Sequence, residues 1–101
     1  MIYYMVKENP YEIKVKGHAN FAKLGKDIVC ASVSTATILS ANLIKRLNQD
    51  NNVIVEIKDG YFHLKVKKQT SEIKAICENL VWTMSELQET YPNYIKYQEE
   101  R

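Results

Sequence analysis

A strand-turn-strand pattern runs through VIVEIKDGYFHLKV, residues 53–66. Every second residue is apolar on both sides of Asp59-Gly60. These apolar residues are Val53, Val55, Ile57, Phe62, Leu64 and Val66. A two-residue period is typical of strands with one buried face, and Asp-Gly is a strong signal for a tight hairpin turn. The stretch therefore predicts two antiparallel strands.

The segment before this hairpin predicts a helix over residues 28–48. Asp27 stands at the N-cap position, and an uncharged stretch runs from Ile28 to Ile44. Apolar residues follow at multiples of the helical step, namely Val29, Val33, Ala36, Leu43 and Leu47. The stretch contains many hydroxyl side chains, whereas a membrane span needs about 20 mostly apolar residues. We therefore expect a buried helix and no membrane span.

The segment after the hairpin predicts a second helix. Thr70 or Ser71 can cap it, and it ends before Pro92. Its apolar stripe consists of Ile73, Ile76, Cys77, Leu80, Met84 and Leu87. Because these residues recur at helical spacing, one side of this helix is expected to face the core.

The two ends of the chain add strands to the hairpin. Residues 2–7 are β-branched or aromatic, and Tyr11, Ile13 and Val15 alternate with charged residues after the Asn9-Pro10 turn. Ile95 and Tyr97 allow a short last strand. The order ββαββα, with that possible last strand, predicts one α+β domain over residues 1–101, with two layers and both helices packed on one sheet.

Composition limits the function classes. The 101 residues are 46% hydrophobic and 26% charged, as in an ordinary globular domain. The net charge of +2 is too small to demand a nucleic-acid or membrane partner, so direct nucleic-acid binding is not expected. Lys7 and Glu8 interrupt the N-terminus before a signal-like apolar run forms, which predicts a cytoplasmic protein with reduced thiols.

Cys30 is the most informative candidate for chemistry. With Asp27 as N-cap, it lies in the first helical turn, where the helix dipole favours a thiolate and backbone amides can face an oxyanion. His18 stands at the start of the loop from Gly17 to Lys26 and can serve as its base. On spacing alone, a small core cysteine and a polar loop histidine are the commoner explanation of these two residues.

The stretch GHANFAKLGKDIVCASVST, residues 17–35, resembles the signature of the ribosomal-processing cysteine protease family, called Prp. The resemblance implies that His18 and Cys30 form the catalytic pair. Gly17, Asp27 and Ser34 match further positions of the signature, and Ser32 departs from it where Ala is usual. Members of this family remove a short N-terminal extension from large-ribosomal-subunit protein twenty-seven, cut after aromatic residues, and form homodimers.

Several roles stay open at this point. Asp27 can cap the helix or orient His18, and Ser34 can touch the thiol or bond a carbonyl one turn back. The loop residues Phe21, Leu24 and Gly25 form a candidate substrate loop, in which the two apolar side chains can cover an aromatic substrate residue. Neither the histidines nor the cysteines have the spacing of a tetrahedral metal set, and no cofactor is expected.

The alternative function is a non-enzymatic, ribosome-associated binding module that uses a basic sheet face. The lysines that suggest it lie in strands or at their ends, and they are Lys14, Lys16, Lys58, Lys65, Lys67 and Lys68. Lysines on an exposed strand also block edge-to-edge aggregation, and the low net charge argues against this alternative.

Overall fold

The computed structural model describes residues 1–23 and 25–99. In chain order, the elements are β1 (Ile2–Lys7), β2 (Glu12–Gly17), α1 (Ile28–Arg46), β3 (Val53–Lys58), β4 (Tyr61–Val66), α2 (Ser71–Thr90) and β5 (Ile95–Tyr97). A single 3-10 turn over Asp50–Asn52 leads into β3. The predicted order of elements is confirmed, including the short last strand.

The strands form one mixed sheet in the order β3-β4-β2-β1-β5. All neighbours are antiparallel except β1 and β5, which run parallel. Both helices cover the same face of this sheet, which confirms the predicted two-layer α+β domain. The core between the layers is apolar, and its fully buried members include Ile13, Leu64, Ile73, Leu80 and Met84.

The N- and C-termini of α1 are fixed by side-chain and backbone caps. Asp27 caps the first turn, as the sequence predicts. The helix ends at Arg46, short of the predicted residue 48, because Asn48 adopts a left-handed conformation with φ 58°. The Gln49 N–H donates to the Ile44 carbonyl and the Asn48 N–H donates to the Lys45 carbonyl, which is a Schellman motif.

The buried row of α1 differs from the predicted one. Val29 and Val33 are buried as expected, but the row continues through Thr37 and Ile44. Leu43 and Leu47, predicted to face the core, are 46% and 43% exposed. Apolar residues occupy most sides of this helix, so their spacing alone does not show which row meets the sheet.

The apolar outer side of α1 also makes this helix resemble a membrane span. By length and composition it passes the test for one, with a mean hydropathy of 1.5. Helices that pack into the core of a soluble protein pass the same test. Here Val29, Val33, Thr37 and Ile44 pack towards the sheet, as a core helix requires.

The second helix follows its prediction closely. Thr70 caps it by accepting a hydrogen bond from the Ile73 N–H at 3.2 Å. The buried residues are Ile73, Ile76, Cys77, Leu80 and Met84, and Leu87 packs against them at the edge of the core. The stripe that the sequence predicts is therefore the side that faces the sheet.

Candidate active site

His18 lies where the end of β2 meets the turn between β3 and β4. The Gly17 N–H donates to the Gly60 carbonyl at 2.9 Å, which holds the end of β2 beside that turn. The His18 imidazole then lies over Gly60, so that a Cβ atom added there would be 2.6 Å from Nε2. The turn therefore needs glycine at this position to leave room for the imidazole.

One carboxylate of the same turn approaches the His18 ring. His18 Nε2 is 4.0 Å from Asp59 Oδ2, and the His18 side chain is 54% exposed. The His18 carbonyl accepts a hydrogen bond from the N-terminal amine of Met1 at 2.6 Å. The imidazole is thus held by its backbone and by the turn while its ring remains open to solvent.

Cys30 lies in the first turn of α1 with its side chain partly buried. Its Sγ accepts the Ala19 N–H at 3.4 Å. Because Ala19 directly follows His18, this contact holds the sulfur beside the segment that carries the imidazole. The fold thereby brings together two residues that the sequence separates by the whole loop.

Asp27 ties that loop to α1. Its Oδ1 accepts the N–H groups of Val29 at 3.0 Å and Cys30 at 2.9 Å, and its Oδ2 accepts the Phe21 N–H at 3.0 Å. Burial opposes ionisation of the carboxyl, but the hydrogen bonds from Cys30 and Phe21 outweigh it and lower the pKa of Asp27. Asp27 is therefore a cap for the helix and the loop.

This arrangement corrects one expectation from the sequence. The sequence predicts that backbone amides of the first helical turn can face an oxyanion, but the amides of Val29 and Cys30 donate to Asp27. An N-cap carboxylate uses the same donors that an oxyanion would need. The carboxylate nearest to His18 in these contacts is Asp59 of the β3–β4 turn.

His18 and Cys30 line the same two cavities. One, of about 110 Å³, is mainly apolar and is enclosed by α1 and the β3–β4 hairpin, with Val33, Ile38, Ile57 and Phe62 in its walls. The other, of about 460 Å³, is more open and lies below the loop, with Asn20, Gly25, Asp27, Ser34 and Asp59 in its walls. The pair therefore stands between a small apolar cavity and a larger, more open one.

A comparison with known families identifies the family of this chain. The model of the family described as Cysteine protease Prp matches residues 1–96. The chain belongs to the cysteine protease Prp family. The family resemblance seen in residues 17–35 is therefore confirmed over nearly the whole chain.

Individual Prp proteins of Staphylococcus aureus are similar in sequence and fold. The ribosomal processing cysteine protease Prp of strain Mu50 is 26% identical over 87 residues, covering 84% of this chain and 82% of the relative. A crystal structure of S. aureus Prp with a covalently linked product peptide has a TM-score of 0.83 at 24% identity, covering 99% of this chain and 100% of that one. A second, with a substrate peptide, has a TM-score of 0.72 at 21% identity, covering 98% and 97%.

The residues of the Prp signature lie around these cavities in different ways. Gly17 and Ser34 join His18 and Cys30 in the apolar cavity, and Ser34, Gly25 and Asp27 line the open one. Gly17 has φ 109°, and a Cβ atom there would collide with the Met1 carbonyl oxygen. Ser32, the departure from the signature, is half-buried and donates to the Ile28 carbonyl at 2.7 Å. Its hydroxyl is thus engaged within the helix.

The candidate substrate loop is only partly at the cavities. Phe21 packs edge-on against Tyr94 and Tyr91, with ring centroids 5.1 Å and 6.0 Å apart. Leu24, the other apolar residue predicted to cover substrate, lies outside the described residues. Phe21 therefore anchors the loop to the segment between α2 and β5.

The remaining cysteine and histidine lie away from the two cavities that His18 and Cys30 line. Cys77 is buried in α2, and burial raises the pKa of its thiol to about 11. His63 Nε2 is 2.8 Å from Glu12 Oε1 on the uncovered face of the sheet. Within residues 1–23 and 25–99, no three potential metal ligands lie close enough together to hold an ion.

Sequence reasoning missed two residues of this site, Asp59 and Gly60. The Asp-Gly pair forms the turn that the sequence predicts. In addition, Gly60 lies directly under the His18 ring, and Asp59 places its carboxylate beside that ring. No local signal reveals this, because it depends on β4 pairing with β2. The sequence does predict that Ile57 belongs to the inward-facing row of β3, and Ile57 lines the apolar cavity.

Proposed function

We propose that this protein is a cysteine endopeptidase that removes a short N-terminal extension from large-ribosomal-subunit protein twenty-seven, cutting after aromatic residues. The observation that carries the proposal is that His18 and Cys30 line the same two cavities in a chain of the cysteine protease Prp family. The S. aureus relatives are named ribosomal processing proteases, and their crystal structures hold peptides.

The two side chains have complementary roles in this proposal. His18 takes the proton of the Cys30 thiol while Sγ attacks the scissile carbonyl carbon. The tetrahedral intermediate collapses, the peptide C–N bond breaks, and His18 gives its proton to the leaving amine. Water, deprotonated by His18, then attacks the thioester, which releases the extension and restores the thiol.

The cavities fit an extended peptide with an apolar residue on one side of the cut. The apolar cavity beside the pair is walled by branched and aromatic side chains from α1 and the hairpin. Such a lining favours a desolvated aromatic or branched side chain. The loop covers the substrate in this proposal, because Gly25 lies in the wall of the open cavity and Phe21 anchors the loop against Tyr94.

The test is cleavage of a synthetic peptide that spans the extension of the ribosomal protein from the same organism. Cys30→Ala and His18→Ala are each expected to abolish cleavage while circular dichroism shows an intact fold. The matched control is Cys77→Ala, which also leaves a single thiol and should still cleave. Cleavage by Cys30→Ala would refute the proposed nucleophile. Cleavage that does not depend on aromatic residues before the cut would refute the proposed specificity.

We also propose that the protein works as a homodimer in the cytoplasm. Both cysteines are free thiols, as a reducing compartment favours. Large apolar residues stand on the outer side of the helical layer, including Leu39 at 66% and Trp82 at 62% exposure. Leu39 and Leu43 border a groove of about 250 Å³ together with Ala75 and Ile76 of α2. An apolar surface of this kind supports contact with a second copy.

A further inference from the structure

The sheet face opposite the helices carries a ladder of alternating lysine and tyrosine side chains, one from each strand. The paired positions across the five strands are Lys96, Tyr3, Lys16, Tyr61 and Lys58. We call these five residues the Lys-Tyr ladder. It crosses the full width of the sheet from β5 to β3.

The buried neighbours of the ladder show that it lies on the uncovered face. Ile2 and Tyr4 flank Tyr3 and are 2% and 4% exposed, Val15 precedes Lys16, and Phe62 follows Tyr61. Successive side chains of a strand point to opposite faces. Since these neighbours face the helices, the ladder faces away from them, and its three lysines are exposed.

Positive charge is concentrated on this face. Lysines outnumber glutamates there, although the whole chain has a net charge of only +2. The lysines whose strand positions place them on it are Lys7, Lys14, Lys16, Lys58, Lys65 and Lys96, against Glu12 and Glu56. Both glutamates have basic partners, since Glu12 is 2.8 Å from His63 and Glu56 is 3.1 Å from Lys58. The face thus offers an excess of cations to an anionic partner.

The tyrosines give the ladder a second chemistry. Neighbouring strands are about 4.8 Å apart, so successive tyrosines and successive lysines in the ladder are about 10 Å apart. Lys58 Nζ already lies 5.9 Å from the centre of the Tyr61 ring, so cation and ring are close neighbours. Aromatic rings on a sheet are platforms for unpaired bases, and lysines between them can contact phosphates.

We propose that the Lys-Tyr ladder binds single-stranded RNA. An acidic peptide would use the lysines but would gain little from the rings, and a duplex would hide its bases from them. The choice of RNA over DNA rests on the proposed ribosomal substrate, which lies beside RNA. The low net charge of the whole molecule argues against nucleic-acid binding, but it is a sum over all surfaces. The positive charge of the lysines is concentrated on the uncovered face of the sheet.

The test measures fluorescence anisotropy of a labelled single-stranded oligouridylate mixed with the full chain carrying Cys30→Ala. This background removes proteolysis, so failure of RNA binding and failure of the protease proposal are read separately. RNA binding by the Cys30→Ala chain is expected to weaken with salt. Adding Lys16→Gln should reduce the slope of log affinity against log salt by about 0.7. Lys45→Gln, on the exposed end of α1, is the matched control and should leave the slope unchanged.

The tyrosines are tested at Tyr3, which lines neither cavity beside Cys30. Tyr3→Ala should weaken binding about 5- to 100-fold, and Tyr3→Phe should keep most of the affinity because it keeps the ring. Equal effects of Lys16→Gln and Lys45→Gln would overturn the proposal. So would tighter binding of duplex RNA, oligothymidylate or polyglutamate, or a change of oligomeric state caused by Lys16→Gln.

Discussion

Two aspartates beside the proposed catalytic pair make different contacts. Asp27 uses both carboxylate oxygens to hold backbone amides of α1 and of the loop, whereas Asp59 extends from a hairpin turn towards the imidazole. The side chain of Asp59 is 98% exposed, so solvent screens its charge at 4.0 Å from His18. At the scale of single residues, the site depends more on steric fit around His18 than on charge.

Gly60→Ala is expected to lower kcat/KM for the extension peptide by about 100-fold, since displacement of a reacting group by about 1 Å has that effect. The new Cβ would meet His18 Nε2 at 2.6 Å and push the ring away. Asn48→Ala is the control for backbone strain, because Asn48 also has positive φ, at 58°, but lines neither cavity. Equal loss of activity in both variants, measured by steady-state kinetics, would show that backbone strain alone is responsible.

Asp27→Asn is expected to lower the free energy of unfolding at neutral pH by about 1 kcal/mol, because the amide offers one oxygen where Asp27 uses two. The folded-state pKa of Asp27 lies below its ordinary value of 3.8, so its charge stabilises the fold above that pH. This stabilisation is lost as the pH falls through the folded pKa. Urea unfolding of both proteins should therefore show a difference that shrinks below about pH 4, and a constant difference would contradict this account.

The element that decides how the layers meet is α1. Apolar residues surround it, yet one row faces the sheet and another faces outward. Thr37 belongs to the inner row, and its hydroxyl donates to the carbonyls of Val33 and Ser34, both at 3.1 Å. These bonds satisfy the hydroxyl within the helix, so Thr37 is accommodated in the core.

Ile44→Ala and Leu43→Ala compare the two rows at adjacent positions. Ile44 is 1% exposed and Leu43 is 46% exposed. We expect Ile44→Ala to cost about 2 to 5 kcal/mol of unfolding free energy, and Leu43→Ala much less, because only the first removes fully buried methyl groups. Chemical unfolding at a concentration that favours the monomer measures both. A larger loss of unfolding free energy for Leu43→Ala would contradict the rotation of α1 about its axis that buries Ile44.

At the scale of the whole molecule, a single layer of helices on one sheet leaves two outer surfaces. One is apolar and includes Leu39 and Trp82, and the other carries the Lys-Tyr ladder. The proposed catalytic pair lies between α1 and the hairpin, and Lys58 and Tyr61 of the ladder also line the apolar cavity beside it. RNA bound to the ladder would therefore reach the edge of that cavity, whereas the groove bordered by Leu39 and Leu43 shares no lining residue with either cavity.

Leu39→Lys is expected to shift the protein from dimer to monomer, since it places a charge in the apolar surface of the helical layer. Sedimentation velocity measures the change. Ile54→Lys is the matched control, because Ile54 is 51% exposed on the opposite face of the sheet. Dissociation by Ile54→Lys and not by Leu39→Lys would assign the dimer contact to the sheet and exclude the proposed surface.

Local sequence signals predict the helices and strands correctly, and they supply the proposed catalytic pair. Local signals account for them: Asp59-Gly60 for the hairpin, Asp27 and Thr70 for the helix caps, and the family signature for His18 and Cys30. Each signal acts over a few residues, because turns, caps and helical stripes are set by backbone conformation and near neighbours. The family signature adds identities that periodicity does not supply.

Which segments become neighbours in space follows from packing of the whole chain. The strand order β3-β4-β2-β1-β5 puts Gly60 under His18 and assembles the Lys-Tyr ladder from five strands. When α1 packs on this sheet, Ile44 is buried in the core and Leu43 remains exposed. Strand pairing and helix rotation follow from hydrogen bonding and packing between distant segments. Periodicity within each segment is compatible with several such arrangements, so packing of the whole chain makes the selection.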